Sequence, residues 1–194
     1  IKSFDEDSYL FLTTRDGMVN RLSLSSFKKV RNSGLKAILL KGDDYLFNAL
    51  HTAGGDKIIL SSSSGKSIMF EETQIRERSR GTQGVAGIKL NKNAKIVSSL
   101  KVDAEQLIFV TENGFGNKVS IDSYSTQNRG GQGVISIKTS ERNGNVIGAV
   151  NLDNSDYIIL ITNKGKTIKI SASDMKTINR NTQGVRLQDM SDDE

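Results

Sequence analysis

The chain has 194 residues, with 27 Lys and Arg against 22 Asp and Glu, a net charge of +5 and a pI near 9.4. Its 36% hydrophobic and 25% charged content is ordinary for a globular chain, and no apolar run approaches the roughly 20 residues of a membrane-spanning helix. The absence of Cys excludes disulfides and thiolate metal sites and fits a reducing, cytoplasmic setting. Ile1-Lys2-Ser3-Phe4-Asp5-Glu6 has neither a basic leader nor an apolar stretch, and without an initiator Met it is expected to begin inside a longer protein.

In chain order, four apolar runs end in a glycine turn: Tyr9 to Gly17, Ile58 to Gly65, Leu107 to Gly114 and Ile158 to Gly165, the glycines spaced by 48, 49 and 51 residues. A second series, Gly34, Gly84, Gly133 and Gly184, recurs at 50, 49 and 51, and from the second unit on opens an apolar stretch such as Val85-Ala86-Gly87-Ile88. Two markers in register define a repeat of about fifty residues. Within one unit the pattern predicts strands over 57–62, 66–70, 85–90 and 95–102. Asp16-Gly17 and Asn113-Gly114 supply the positive φ of a tight hairpin. Four short strands per unit, repeated, predict an all-β, propeller-like array of about four four-stranded antiparallel blades over 1–188, divided near 1–45, 46–95, 96–145 and 146–188. By this register Ile1 corresponds to Ala49, inside the strand expected to open a unit. Residues 189–194 hold Asp189, Asp192, Asp193 and Glu194, the expected start of an acidic tail.

Catalytic signatures fail on inspection. Gly65-Lys66-Ser67 and Gly165-Lys166-Thr167 match the end of a phosphate-binding loop, but Leu60 and Leu160 stand where its first glycine must be, and both lie at hairpins. His51 is the only histidine and has neither thiols nor histidines to complete a metal site. Acid pairs such as Asp43-Asp44 and Glu71-Glu72 are expected to lie in loops as solvated surface, and Tyr9, Tyr45, Tyr124 and Tyr157 are expected to pack.

The basic residues repeat with the units. Four positions after the hairpin glycine stand Arg21, Met69, Lys118 and Lys169, and four before the second glycine stand Val30, Arg80, Arg129 and Arg180, with Arg31 beside Val30. Equivalent positions of successive blades predict a curved basic stripe, widened by Lys28, Lys29, Lys66, Arg76, Arg78, Lys166 and Lys176. A duplex carries a phosphate about every 1.7 Å of its axis, so such a stripe suits a backbone binder that does not read sequence. Aromatics are 6% of the chain and are not interleaved with the basic loops, unlike a single-strand binder. A propeller used as a protein-interaction scaffold is the alternative from a different class.

Gln127-Asn128-Arg129-Gly130-Gly131-Gln132-Gly133 is similar to the gyrase A box, QRRGGKG, with Asn128 and Gln132 departing from it. The following Gly133-Val134-Ile135-Ser136-Ile137-Lys138-Thr139-Ser140-Glu141-Arg142-Asn143-Gly144, together with Asn179-Arg180-Asn181-Thr182-Gln183-Gly184-Val185, also resembles the C-terminal domain of the DNA gyrase A protein. That resemblance covers essentially the whole chain and implies a β-pinwheel that wraps duplex DNA on its perimeter. Arg129 would supply charge while Gly130, Gly131 and Gly133 let the backbone approach a phosphate. It further implies no catalytic residue and no cofactor in this stretch, ATP and Mg being used elsewhere in an A2B2 holoenzyme with the gyrase B protein, in the nucleoid-associated cytoplasm. The authentic box would lie upstream of Ile1. The related topoisomerase IV domain is the rival within the family, one that generally lacks a Thr-Glu-Arg-Asn-Gly segment.

Overall fold

A computed structural model describes residue 4 and residues 7–190. The first unit lays down β1 (Tyr9–Thr14), β2 (Met18–Ser23), β3 (Ile38–Leu39) and β4 (Leu46–Thr52). The second adds β5 (Lys57–Ser62), β6 (Lys66–Glu71), β7 (Thr82–Gln83), β8 (Val85–Ala86) and β9 (Ile96–Lys101). The third adds β10 (Gln106–Thr111), β11 (Phe115–Ser120), β12 (Val134–Ile135) and β13 (Val146–Leu152), and the fourth β14 (Tyr157–Ile161), β15 (Thr167–Ser171) and β16 (Val185–Arg186). A single 3-10 turn follows the second strand of each hairpin, at Leu24–Phe27, Glu72–Gln74, Ile121–Ser123 and Ala172–Asp174.

The sheets do not follow the unit boundaries. Their strand orders are β4-β1-β2-β8, β9-β5-β6-β12 and β13-β10-β11-β16, all antiparallel. Each hairpin is flanked on one side by the long strand that ends its own unit and on the other by a two-residue strand from the next unit. The strand near residue 46, expected to open the second unit, therefore closes the first sheet, and divisions at 45/46, 95/96 and 145/146 separate strands that pair. The expected strand 85–90 shrinks to Val85–Ala86 and pairs with Val19 and Met18 of the blade before it. This exchange covers both edges of each hairpin, which otherwise expose unpaired backbone groups. A register shift recurs at the same place in all three sheets, at Thr13/Thr14, Ser61/Ser62 and Val110/Thr111. The fourth blade is a two-stranded sheet, β14-β15, among the described residues, and β3 and β7 form a small parallel pair.

Core packing explains why the hairpin strands read as continuous apolar runs. Ile58 and Leu60 face the first blade with Phe11, Val19, Ile68 and Phe70, whereas Ile59 faces the third with Leu107, Phe109 and Val119. A sheet buried on both faces selects apolar residues at successive positions. Ile59 has 0% exposure and its repeat partner Ile159 60%, because among the described residues no sheet covers the far side of the fourth blade. The strands β4, β9 and β13 meet at the hub, where Asn48 Nδ2 donates to the Ser99 carbonyl at 2.8 Å and Ser98 Oγ to the Ala149 carbonyl at 2.7 Å.

Two features generate tests. Gly133 has φ +68°, and a Cβ there would lie 2.3 Å from the Ser67 carbonyl oxygen, while Gly34 has φ +77° but open space around it. Positive φ costs a side chain about 1–3 kcal/mol. Gly34→Ala is expected within that range and Gly133→Ala clearly beyond it in urea denaturation, since only the latter also pushes β12 off its partner. Separately, burial pushes the Tyr124 phenol well above its usual range, and its hydroxyl donates to Ser136 Oγ at 2.7 Å. The unfolded chain ionises this phenol near pH 10 while the folded chain keeps it protonated, so stability falls as pH rises beyond 10. Tyr124→Phe should flatten that loss when denaturation midpoints at pH 8 and pH 11 are compared.

Candidate nucleic-acid interface

After each 3-10 turn the chain crosses the outer edge of the disc, and from the second unit on it then pairs with the preceding blade. These crossings carry most of the candidate basic residues, and from the second on each packs on the loop before it. In the second, Arg78 N donates to the Arg21 carbonyl and Gly81 N to the Ala37 carbonyl. In the third, the Gln74 side chain acts as a strand partner, its Nε2 donating to the Gln127 carbonyl at 2.9 Å and its Oε1 accepting from Arg129 N at 2.8 Å. Arg129 then donates from Nε to the Gln74 carbonyl and from one terminal nitrogen to the Ala86 carbonyl at 3.1 Å. Arg180 repeats that last bond one blade on, to the Ile135 carbonyl at 3.1 Å. Successive loops thus form a continuous chain around the perimeter.

Arg76, Arg78 and Arg80 are exposed on this perimeter, as are Lys28, Lys29 and Arg31 on the first unit's loop. Arg80 also lies 5.9 Å from the centre of the Phe27 ring. Arg129 and Arg180 are half-buried, held by the carbonyls just described, and Arg180 stacks over Tyr124. Lys66 and Lys166 stand at hairpin tips, the first half-buried and the second exposed with Nζ donating to the Asp189 carbonyl.

The other repeated series has a different job. Lys118 is 3% exposed, and its ammonium donates to the carbonyls of Ala172 at 2.8 Å and Met175 at 3.2 Å and to Asn154 Oδ1 at 3.1 Å. It ties the third blade to the fourth and is not part of a surface track. Arg21 is half-buried, with its guanidinium 4.3 Å from the centre of the Tyr9 ring and reaching the Gly54 carbonyl. Lys169 lies over Tyr157 at 3.8 Å. Arg21 and Lys118 reach from the second strand of a hairpin toward the next blade, whereas Lys169 is exposed against its own hairpin, so the expected single stripe separates into inter-blade contacts at the first and third hairpins and a perimeter series. The box glycines are likewise occupied by protein: Gly130 N donates to the Gly87 carbonyl, the Gly131 carbonyl accepts from Lys89 N, and Gly133 is pressed against β6.

Two exposed basic positions were missed. Lys89 and Lys138 stand five residues after Gly84 and Gly133, and their backbone nitrogens donate to the next loop at Gly131 and Thr182. Their 49-residue spacing was legible, but the corresponding Leu39 and Asp189 hid it. Arg142 joins them, bonded to Gln183 Oε1 at 3.2 Å and stacked on Phe115. Buried Asn143 sets that turn by bonding to the Ser140 backbone nitrogen, the Lys138 carbonyl and the Gln183 carbonyl. Of the tail, Asp189 pairs with Arg186 at 3.0 Å, and Asp192, Asp193 and Glu194 lie outside the described residues. Among the described residues no group of three His, Cys, Asp or Glu could hold a metal ion, and no helix is long and apolar enough to cross a membrane.

The family profile described as "DNA gyrase C-terminal domain, beta-propeller" matches residues 8–53, 56–103, 105–153 and 156–194, one match per unit. The chain belongs to that family. It is 38% identical to the DNA gyrase A protein of Salmonella typhimurium over all of its own length and 22% of that protein, and 37% identical to that of Escherichia coli with the same coverage. It therefore spans about a fifth of these relatives. Among solved structures it resembles a C-terminal domain of DNA topoisomerase IV, with TM-score 0.92 and 26% identity over 99% of this chain and 61% of that one. A DNA gyrase A C-terminal domain matches with TM-score 0.86 and 29% identity, over 97% and 64% respectively.

The division of labour between the two series is testable. Lys118→Ala strands the buried Ala172 carbonyl and the part-buried Met175 carbonyl, and since one buried unsatisfied group costs about 1–3 kcal/mol it should lower stability by at least that much in urea. Arg78→Ala, an exposed change, should stay within about 0.5 kcal/mol.

Proposed function

We propose that this chain binds duplex DNA along its perimeter without sequence preference and bends it from blade to blade, as the wrapping domain of a gyrase A protein. The observation that carries this reading is the unbroken run of perimeter loops, each docked on the one before and most of them presenting Arg. Arg is suited to the role because its fork still offers donors to a phosphate after one has been used on a carbonyl. In the holoenzyme with the gyrase B protein, wrapping on this domain would present a crossing segment for strand passage and so direct ATP-driven transport toward negative supercoiling. Membership of the gyrase C-terminal family and the gyrase A relatives support this.

The TM-score of 0.92 to a topoisomerase IV domain favours a second reading, in which the same perimeter binds duplex DNA without directing negative supercoiling. The segment Ser140-Glu141-Arg142-Asn143-Gly144, braced by Asn143 onto the fourth unit's loop, supports the gyrase reading. Fusing the chain to a gyrase A cleavage core, then assaying relaxed plasmid with ATP and the gyrase B protein, separates the two: negative supercoils support the first and their absence the second.

If about eight phosphates are neutralised, log K should fall with log salt with a slope near roughly −7. A slope shallower than about −2 would contradict a perimeter track. Bending 20–30 base pairs costs on the order of 1–6 kcal/mol, so wrapping requires contacts on several blades in succession. Replacing Arg76, Arg78 and Arg80 together with Ala should reduce bending of a long fragment, read by energy transfer, more than it reduces affinity for a short duplex. Equal losses would indicate one local site.

A further inference from the structure

The two ends of the blades carry opposite charge. Hairpin tips share one end of the disc, because Val146 N donates to the Ser63 carbonyl and Ile96 N to the Arg15 carbonyl across neighbouring blades. The 3-10 turns share the other end, where Ile121 N donates to the Glu105 carbonyl and Ala172 N to the Asp156 carbonyl. At the tip end stand exposed Lys89, Lys92, Lys138, Arg142 and Lys164. Two acids there are already engaged, Asp16 between Arg15 and Lys95 at 3.0 and 3.2 Å and Glu112 accepting from the Asn145 backbone, while Asp43 and Glu141 stay exposed in the minority. At the opposite end Asp103, Glu105, Asp122, Asp153, Asp156 and Asp174 are all exposed, against Lys28 and Lys29 where the first perimeter loop starts, Lys57, which lies 4.0 Å from Glu71, and half-buried Lys101.

A six-residue strand is about 20 Å long, roughly two Debye lengths at physiological salt, so the two ends act on a polyanion as separate surfaces. The perimeter loops climb from the acidic end, near Lys28 and Lys29, to the basic tips, and Lys89 and Lys138 continue the arginine series over the edge, bonded through their backbone to the next loop. We infer that the duplex rides off-centre on the perimeter, shifted onto the hairpin-tip rim by Lys89, Lys92, Lys138 and Arg142 and kept from the opposite end by its carboxylates. This rests on the DNA-binding reading and adds to it the side of the disc on which DNA lies, hence the tilt of its path from blade to blade.

The absence of Cys allows single-cysteine probes carrying a photo-crosslinker: Ser79→Cys on the perimeter, Asn91→Cys at the tips and Ser155→Cys at the acidic end, all at exposed positions. Crosslinks to duplex from Ser79→Cys and Asn91→Cys, several-fold above Ser155→Cys, are expected. Equal yields from Asn91→Cys and Ser155→Cys, with Ser79→Cys reactive, would overturn the off-centre path and leave perimeter binding standing. No crosslink from any of the three would overturn the DNA reading itself. In parallel, Lys89→Glu with Lys92→Glu should shallow the salt slope by about two, and Glu105→Lys with Asp122→Lys should raise the Ser155→Cys yield. An unchanged slope in the first pair would remove the tip lysines from the track.

Discussion

Each of the first three blades depends on a strand it does not itself supply. The short strands β8, β12 and β16 each leave their own unit to pair with the second hairpin strand of the unit before. The approach is close: a Cβ on Gly133 or Gly184 would lie 2.3 or 2.5 Å from a carbonyl oxygen of the partner strand. Glycine at this point is therefore a packing requirement of the joint, and the same joint delivers the preceding loop to the perimeter. Fold and interface share one constraint.

That constraint also accounts for the two fates of the basic residues. A side chain on the second hairpin strand, four positions past the turn, lies under the incoming loop and is used by it, as Lys118 is by Ala172 and Met175. A side chain on the loop itself remains outside, even when one of its donors is tied to a carbonyl, as in Arg129 and Arg180. The hydroxyl chain from Tyr124 through Ser136 and Ser67 to Ser61 runs beneath the same joint and satisfies its buried polar groups without a charge. Rigid joints suit the proposed wrapping surface, since bending energy would have to be opposed by contacts held at fixed spacing from blade to blade.

Sequence by itself determined the repeat, the all-β class, the hairpins and the family resemblance, because each is a local pattern: Gly17, Gly65, Gly114 and Gly165 mark turns, and Ile58-Ile59-Leu60 marks a strand buried on both faces. It also located the perimeter arginines, through their spacing from a glycine. Tertiary structure decided which strands share a sheet, since a two-residue strand such as Val134–Ile135 acquires its meaning only from the partner it meets about seventy residues earlier. It also decided that Lys118 turns inward while Lys89 and Lys138 stand outside, and that acids and bases part to opposite ends of the disc. Periodicity shows that residues are equivalent, but burial and charge separation are properties of how neighbouring blades are set against one another.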